Sequence, residues 1–318
     1  NPSGVDYRCI SWTPTLSPEL ATTYGWHPPL SIRTLSHESF QCTHIRVSSM
    51  LTEAIEEQGK MYAQSLTTPQ FTAALHEAIQ SLDPTQRLAY DFIVEWGYAR
   101  LLWDQSLTNH RKTSMCNTEA NAVPDLAFMM LGTAGTGKTH TVKAAMDKVR
   151  SIFKQFQSVM TLAYSGVAAA NLGSGSKTID SVFHTNQKNG AADLEGAELD
   201  SLVQLLRSVR LLIIDEISTV GAAQFAIIAR RLQQVSRVLY REWFGDPVPE
   251  DFGLGEHAVT EFGLFAVVMM GDFAQLPPVL SSSLLEGCPL LDPPGERFLA
   301  LEGRQIFAQI NNVLRLKR

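Results

Sequence analysis

The sequence has 318 residues, of which 45% are hydrophobic, and it carries a formal net charge of −6. Such a length can bury one large hydrophobic core or two smaller ones. No apolar run approaches the roughly 20 residues of a membrane span, and no basic segment followed by an apolar one marks a secretory signal, so we expect neither. The acidic balance excludes a surface that is basic throughout, but it leaves room for a local groove that holds a nucleic-acid strand.

Cysteine usage indicates a reducing compartment. Cys9, Cys42, Cys116 and Cys288 are far apart in the sequence and form no C-x-x-C pair. This pattern favours reduced thiols in an intracellular protein over a disulfide framework or a zinc site. The first residue, Asn1, is not methionine, which leads us to expect an excised or processed segment.

The character of the sequence changes at about residue 80. Residues 1–80 are heterogeneous and begin with several prolines, so we predict an accessory or linker region there. From residue 81 to residue 318 the pattern is regular and indicates one lobe. Asp83 followed by Pro84 predicts the start of a helix, and the polar stretch 109–121 predicts a surface loop.

The most informative stretch is a glycine-rich motif, G-x-x-x-x-G-K-T, that ends at Lys138 and Thr139. A short apolar run precedes it and an amphipathic helical pattern follows, which is the context of a phosphate-binding loop between a buried strand and a helix. Backbone N–H groups of the loop would cradle phosphate oxygens, Lys138 would reach the terminal phosphates and the Thr139 hydroxyl would hold Mg²⁺. The predicted nucleotide-binding residues are Gly132, Thr133, Ala134, Gly135, Thr136, Gly137, Lys138 and Thr139.

Four apolar runs predict the strands of a parallel sheet, at residues 126–131, 159–164, 211–214 and 266–270. They are separated by helical or loop sequence, and strands that alternate with helices imply right-handed crossovers. We therefore predict an α/β fold with a parallel sheet flanked by helices. Ligands of such sheets bind at the carboxyl ends of the strands, so the chemistry is sought there.

Two of these strand ends carry residues suited to nucleotide hydrolysis. The run 211–214 ends in Asp215 and Glu216, where Asp215 would hold Mg²⁺ and Glu216 would orient and deprotonate the attacking water. Gln275 follows the run 266–270, and its amide could contact a phosphate oxygen or that water. The predicted catalytic residues are Lys138, Glu216 and Gln275.

The segment 164–173, after the second run, is rich in small residues. Small residues allow close approach of the backbone, which suits contact with a nucleic-acid backbone through N–H groups and hydroxyls. The same composition suits a tightly packed helix start, and the residues alone favour neither reading.

These strand ends, in this order, resemble one family: the petite integration frequency (PIF-one-like) helicases, RecD-related 5′-to-3′ DNA helicases of superfamily one. Asp215–Val220 is similar to the family's D-E-[IVA]-S-M-[IV], with Thr219 in place of Met, and Gly271–Val279 is similar to its G-D-x-x-Q-L-P-P-V. The resemblance covers about three quarters of the chain, residues 81–318. The match is also carried by Gly132–Thr139 and Ser165–Phe183, and further resemblance lies in Phe225–Arg231, Phe262-Gly263 and Leu82–Ala89.

The resemblance implies a RecA-like P-loop NTPase lobe over residues 81–318, with ATP and Mg²⁺ as cofactors and single-stranded DNA or duplex junctions as partners. It implies that Gln86 belongs to an upstream motif that reads adenine, for which an amide supplies one donor and one acceptor. Asp180 stands where the family usually has His, and we assign it no DNA contact because a carboxylate repels phosphate. Residues 236–261 resemble an insertion. The implied DNA-binding residues are Ser165, Gly166, Thr178, Ser181 and Phe183.

The resemblance also implies a second RecA-like lobe that completes the ATP cleft and supplies an arginine finger. The sequence stops at Arg318, within a run similar to the approach to a motif whose arginine touches the γ-phosphate, and Arg315 and Arg318 are the candidates for that residue. A missing arginine finger costs about 10³–10⁵ in turnover. We therefore expect this chain to bind ATP and Mg²⁺, to hydrolyse ATP slowly and not to unwind DNA by itself.

Three functions follow as hypotheses. The first is the motor lobe of an ATP-dependent DNA helicase that serves replication, repair, recombination or telomere maintenance in the nucleus or the mitochondrion. The second is an ATP-dependent DNA- or protein-binding switch without unwinding activity. The third is another P-loop enzyme, such as a small-molecule kinase, which would need an acceptor pocket and a lid that the sequence does not support.

Overall fold

A computed structural model describes residues 65–113 without 67, 123–185 without 174, 192–244, 261–278, 281–285 and 296–317. Its centre is a six-stranded sheet in the order β3-β2-β4-β5-β1-β6, and every pairing in it is parallel. This confirms the predicted α/β class. The strands are β1 (Ala127–Leu131), β2 (Val159–Ala163), β3 (Lys177–Thr178), β4 (Leu211–Asp215), β5 (Ala266–Gly271) and β6 (Asn312–Arg315).

Helices connect the strands and cover both faces of the sheet. They are α1 (Pro69–Gln80), α2 (Pro84–Thr113), α3 (Lys138–Phe153), α4 (Gly166–Leu172), α5 (Ile179–Phe183), α6 (Gly196–Leu206), α7 (Ala222–Phe244) and α8 (Arg297–Ala308). Among the described helices, none combines the length and the apolar character that crossing a bilayer requires.

The strands are apolar along their whole length because both faces of the sheet are buried. In β1, Phe128 and Met130 belong to one hydrophobic cluster, whereas Ala127 and Met129 belong to the other. The first cluster contains the inner faces of α3, α4 and most of α2, and the second contains Trp103 of α2 and the inner faces of α5, α6, α7 and α8. The sheet therefore separates two half-cores, one under each layer of helices.

One crossing in the second layer is unusually close. Gly303 of α8 packs on the first turn of α7, where an added Cβ would collide with the Ala222 carbonyl oxygen and lie 2.9 Å from its carbonyl carbon and 3.2 Å from Ala226 N. The two helices approach to backbone contact at Gly303, so a methyl group does not fit there.

A buried ion cluster closes the amino-terminal edge of the sheet, opposite the carboxyl ends. Asp104 of α2 accepts hydrogen bonds from Arg100 at 2.9 Å and from Arg210 at 2.7 Å. The Arg100 side chain is only 1% exposed, and its Nη1 also donates to the Leu264 carbonyl at 2.6 Å. The cluster thereby ties α2 to the residues that lead into β4 and β5.

Two predicted segments lie only partly within the described residues. The helix that starts after Asp83 continues to Thr113, so the beginning of the predicted loop 109–121 is helical, and residues 114–122 lie outside the described residues. The predicted insertion 236–261 begins inside α7, where Ser236 is fully buried, and residues 245–260 lie outside the described residues. The four cysteines and residues 1–64 also lie outside them.

Helix α1 falls in the predicted accessory region but contacts the lobe. Ala78 and Ile79 pack against the half-core that contains α3, and Ser81 Oγ lies 2.8 Å from His140 Nε2. The apolar side chains of α1 are spaced at helical intervals, and this face is what places the helix against α3.

Candidate nucleotide and DNA site

The parallel sheet brings the phosphate loop, Asp215 and Gln275 to one edge. Its strand order places the carboxyl ends of β2, β4, β5, β1 and β6 side by side in that sequence. The phosphate-loop residues follow β1, Gln275 follows β5 and Asp215 ends β4, so three neighbouring strands present them. With about 4.8 Å between adjacent strands, β2 and the segment 164–173 that follows it lie roughly 14 Å from β1 along the same edge.

The glycine-rich motif forms a compact loop between β1 and α3. Gly135 and Gly137 adopt left-handed backbone conformations, with φ of 78° and 81°, which glycine reaches without a steric penalty. Thr136 is buried, and its hydroxyl donates to the Thr133 carbonyl at 2.9 Å. The loop therefore turns on glycines and is braced from inside by one threonine.

Lys138 lies over the mouth of this loop. Its Nζ donates to the carbonyl oxygens of Gly132, at 2.5 Å, and Thr133, at 3.1 Å. Lys138 is also the first residue of α3, whose N-terminus carries a partial positive charge. The ammonium group and the helix end thus reinforce each other at the place where a phosphate would sit.

Gln86 contacts the loop from the side. Its Nε2 donates to the Thr136 carbonyl at 3.0 Å, and its Oε1 accepts from the Asp83 N–H at 3.1 Å. A Cβ at Gly137 would collide with this amide. The structure therefore places Gln86 on the loop backbone, while its predicted reading of adenine stays a prediction.

The acidic pair sits where β4 turns away from the sheet. Asp215 is half-buried, and its Oδ1 accepts from the Glu216 N–H at 2.8 Å. Burial raises the pKa of the Asp215 carboxyl above its ordinary value, against the lowering effects of that hydrogen bond and of the positive charge of Lys138. The carboxylate thus lies close enough to the loop lysine for their charges to interact.

Glu216 has a left-handed backbone, with φ of 53°, which costs a residue with a side chain about 1–3 kcal/mol. Its carbonyl accepts two hydrogen bonds of 2.8 Å, from the Thr219 N–H and from the Thr219 hydroxyl. Sequence reasoning noted Thr219 only as a departure from the family pattern. A threonine three residues after a strand-ending acidic pair is a signal for a side chain-to-backbone turn bond, and it could have identified this contact.

Gly271 joins the two halves of the site. Its carbonyl accepts from the Gly132 N–H at 3.2 Å, and a Cβ on it would lie 3.1 Å from both Ile217 N and Ile217 Cγ2. The first residue of the phosphate loop, Gly132, and the acidic turn, through Ile217, therefore both contact the backbone of Gly271. Sequence reasoning quoted Gly271 as part of a motif without giving it this role.

Gln275 lies in the turn after β5. Its backbone N–H donates to the Asp272 carbonyl at 3.0 Å, and its side chain is exposed at the carboxyl edge. The Asp272 carboxylate accepts from the Ala274 N–H at 3.0 Å, which shapes the turn. Gln275 is thus presented from the strand between those that carry Asp215 and the phosphate loop.

The donor set fits Mg²⁺. Thr139 and Asp215 supply one hydroxyl and one carboxylate, and Mg²⁺ in nucleotide sites takes one or two protein oxygens with phosphates and water as its remaining ligands. Among the described residues, no group of three or more His, Cys, Asp and Glu side chains offers a dedicated metal cage. The residues present therefore suit a metal that arrives with a nucleotide.

The predicted DNA residues divide into exposed and buried ones. Gly166 and Ser181 are exposed, and Ser165 and Thr178 are partly so. Ser165 Oγ accepts from the Ala168 N–H at 3.2 Å, and Thr178 Oγ1 accepts from the Ser181 N–H at 3.3 Å, so both hydroxyls cap short helices. The segment is therefore both a helix start and an exposed polar surface.

Phe183 does not fit its predicted role. Its side chain is fully buried in the half-core under α7, together with Ile179 and Val182. The three apolar residues share the inner face of α5, so packing and not exposure decides where the ring points. Phe183 therefore belongs to the hydrophobic core and does not lie on the surface where a DNA strand could contact it.

Arg315 occupies the last position of β6, paired with Leu131 at the start of the phosphate loop, and its side chain is exposed. It thus lies at the correct edge of the sheet for a phosphate contact. Arg318 lies outside the described residues.

Comparison with known proteins identifies a family. Residues 109–285, more than half of the chain, match the family model described as PIF1-like helicase. The ATP-dependent DNA helicase Pif1 of Bdellovibrio bacteriovorus is 32% identical over 162 residues, which are 50% of this chain and 31% of that protein. The ATP-dependent DNA helicase RRM3 of Saccharomyces cerevisiae is 28% identical over 159 residues, 46% of this chain and 18% of that protein. The chain thus spans less than a third of either relative.

Similar solved structures include Pif1 helicase from Bacteroides in complex with ADP-AlF3 and single-stranded DNA, with 22% identity and a TM-score of 0.40 over 67% of this chain and 42% of that one. Pif1 helicase from Candida albicans has 22% identity and a TM-score of 0.37 over 68% of this chain and 39% of that one.

Proposed function

This chain belongs to the PIF1-like helicases, and we propose that it is an ATP-binding motor lobe that takes part in ATP-driven unwinding of DNA. The observation that carries the proposal is the convergence of the phosphate loop, Gln275 and the Asp215–Glu216 pair on three neighbouring strand ends. A phosphate cradle, a metal-binding carboxylate and a candidate base on adjacent strands are the parts that phosphoryl transfer to water requires.

The residues divide the work by position. The loop N–H groups and Lys138 would bind the β- and γ-phosphates, and Thr139 and Asp215 would hold Mg²⁺, which supplies charge neutralisation when it is bound. Glu216 would orient and deprotonate the attacking water, and its fixed turn would keep the carboxylate in place. Gln275 would report whether the γ-phosphate is present.

The same edge of the sheet offers the surface for DNA. We propose that Ser165, Gly166, Thr178 and Ser181 face single-stranded DNA or a duplex junction, because they are exposed or partly exposed at the ends of β2 and β3. Hydroxyls and backbone N–H groups contact phosphates without reading sequence. Translocation would run 5′-to-3′, as the resemblance implies. Because the proposed substrate is DNA, we propose an intracellular location, with the nucleus as the first expectation and the mitochondrion as the second.

Binding of a fluorescent ATP analogue with Mg²⁺ tests the first part of the proposal. Lys138→Ala should weaken binding by about 10- to 100-fold, since a charge-assisted contact contributes roughly 1.5–3 kcal/mol. The matched control is Lys143→Ala, because Lys143 lies on the same helix, is exposed and donates to the Asn171 carbonyl instead of a loop carbonyl. Equal binding by the two variants would refute the assignment of the loop.

Strand displacement by a longer protein that contains this lobe tests the second part. A Lys138→Ala form should lose unwinding, and the Lys143→Ala form should keep it. If ATP binds and DNA binds but no form unwinds DNA, the chain is an ATP-dependent switch and not a motor.

A further inference from the structure

Gln86 does more than border the nucleotide site, because its side-chain amide connects two separate pieces of backbone. Its Oε1 accepts from the Asp83 N–H at 3.1 Å, while Asp83 Oδ1 accepts from the N–H groups of Thr85 and Gln86 at 2.8 and 2.9 Å. This reciprocal arrangement is a capping box at the start of α2. It fixes the amide plane of Gln86.

The other end of the same amide is aimed at the phosphate loop. Nε2 donates to the Thr136 carbonyl at 3.0 Å, across 50 residues of sequence. Thr136 directly precedes Gly137, whose left-handed backbone starts α3, and the amide occupies the space where a Cβ at Gly137 would lie. The Gln86 side chain thus fixes the turn before α3, whose N-terminus would lie next to the phosphates.

Gln86 is half-buried, and α2 is anchored behind it by Ala89, Phe92 and Ile93 in the half-core under α3. The brace therefore rests on packed structure. An amide oxygen has two lone pairs and an amide nitrogen two hydrogens, so these two bonds use half of its capacity.

We infer that Gln86 is a positioning residue for the phosphate loop, so that it raises affinity for the triphosphate group whatever base is attached to it. The inference rests on the proposed function, since it concerns the same nucleotide site. It differs from adenine reading in one measurable respect: adenine reading affects ATP alone, whereas bracing of the loop also affects a triphosphate that has no base.

The test compares Gln86→Met with Asp83→Ala in the chain of residues 1–318. Gln86→Met keeps the length of the side chain and removes both bonds of the amide, the one to Thr136 and the one from the Asp83 N–H. Asp83→Ala removes the other half of the capping box and leaves the bond to Thr136 in place. The probes are ATP and inorganic tripolyphosphate, each with Mg²⁺. We expect Gln86→Met to weaken both ligands by about three- to tenfold, the worth of one hydrogen bond, and Asp83→Ala to leave both nearly unchanged.

A loss that is confined to ATP would overturn the inference and leave Gln86 as an adenine reader. Equal losses in the two variants would also overturn it, because helix capping would then explain them. If the wild-type chain binds neither probe, the proposed function itself fails.

Hydrogen exchange provides a readout that needs no ligand. The N–H groups of Thr136 and Thr141 donate to Thr133 and Gly137 within and just after the loop. Gln86→Met should speed exchange at these amides and Asp83→Ala should not. Unchanged protection in Gln86→Met would show that the amide does not brace the loop.

Discussion

The buried ion cluster at the amino-terminal edge of the sheet gives a prediction with an internal control. Helix α2 contains two Arg–Asp pairs with the same i,i+4 spacing. In the pair Arg87–Asp91 the side chains are 49% and 43% exposed, whereas in Arg100–Asp104 they are 1% and 20% exposed. The perturbations are Asp91→Ala and Asp104→Ala, which differ in burial and in the second arginine, Arg210, that contacts Asp104.

Removing Asp104 leaves the guanidinium of Arg100 buried without its carboxylate. It also removes the acceptor of the 2.7 Å hydrogen bond that Arg210 donates. Breaking a buried pair in this way costs about 3–5 kcal/mol. Removing Asp91 breaks an exposed pair and costs about 0.5 kcal/mol. The gain in helix propensity from aspartate to alanine, up to about 0.7 kcal/mol, applies equally at both positions and cancels in the comparison.

Urea unfolding at pH 7, followed by tryptophan fluorescence, measures both changes. We expect the free energy of unfolding of Asp104→Ala to lie at least about 2 kcal/mol below that of Asp91→Ala. A difference under about 0.5 kcal/mol would refute the reasoning, since burial would then add nothing to the pair.

The pH dependence has a definite sign. Burial alone would raise the pKa of Asp104, but Arg100 and Arg210 outweigh burial and hold it below the ordinary value. A carboxyl whose pKa is lowered by folding stabilises the protein above its unfolded pKa, about 3.9, and loses that contribution as the pH falls through the folded pKa. The deficit of Asp104→Ala against wild type should therefore persist from pH 7 to pH 5 and shrink in more acidic solution.

Two further substitutions test packing and the acidic turn. Gly303→Ala should lower the free energy of unfolding by roughly 1–3 kcal/mol, because its methyl group meets the backbone of Ala222. At Gly97→Ala the methyl group meets only movable side chains, at 3.3 and 3.4 Å, so this control should be neutral or stabilising. Equal effects of the two substitutions in thermal unfolding would contradict this account. Thr219→Val should lower kcat for ATP hydrolysis several-fold and leave ATP affinity unchanged, since the Glu216 carbonyl loses one of two bonds, and Thr219→Ser should restore the rate. A change in ATP affinity without a change in kcat would argue against a role of Thr219 in placing Glu216.

Four of the six strands, β1, β2, β4 and β5, were predictable because a parallel sheet that is buried on both faces needs continuous apolar runs. The edge strands β3 and β6 were not predicted, because neither has such a run. The carboxylates of Asp215 and Glu216 and the phosphate loop were predictable because each directly follows such a run. The order β3-β2-β4-β5-β1-β6 was not, since strand pairing joins residues far apart in the sequence and leaves no local pattern.

Within the site, too, local features were predictable and contacts between residues far apart in the sequence were not. The capping box at residues 83–86 is visible in the sequence, whereas the bond from Gln86 to Thr136 depends on how α2 docks against the loop. Phe183 was misassigned because a five-residue helix shows too short a pattern to separate an inner face from an outer one. Of the two hydrogen bonds to the Glu216 carbonyl, the one from the Thr219 hydroxyl has a signal in the sequence, whereas the left-handed backbone of Glu216 has none.

The division of the interior into two half-cores has a consequence for how this lobe tolerates change. The phosphate loop leads into α3, which packs on one side of the sheet, and the acidic turn leads into α7, which packs on the other. Substitutions under the two helices share the strands and α2, whose Trp103 contacts Trp243 of α7, as common neighbours, so away from these their costs in stability should add. Each layer can then be repacked on its own, and the strands between them keep the lysine and the carboxylates at a constant separation.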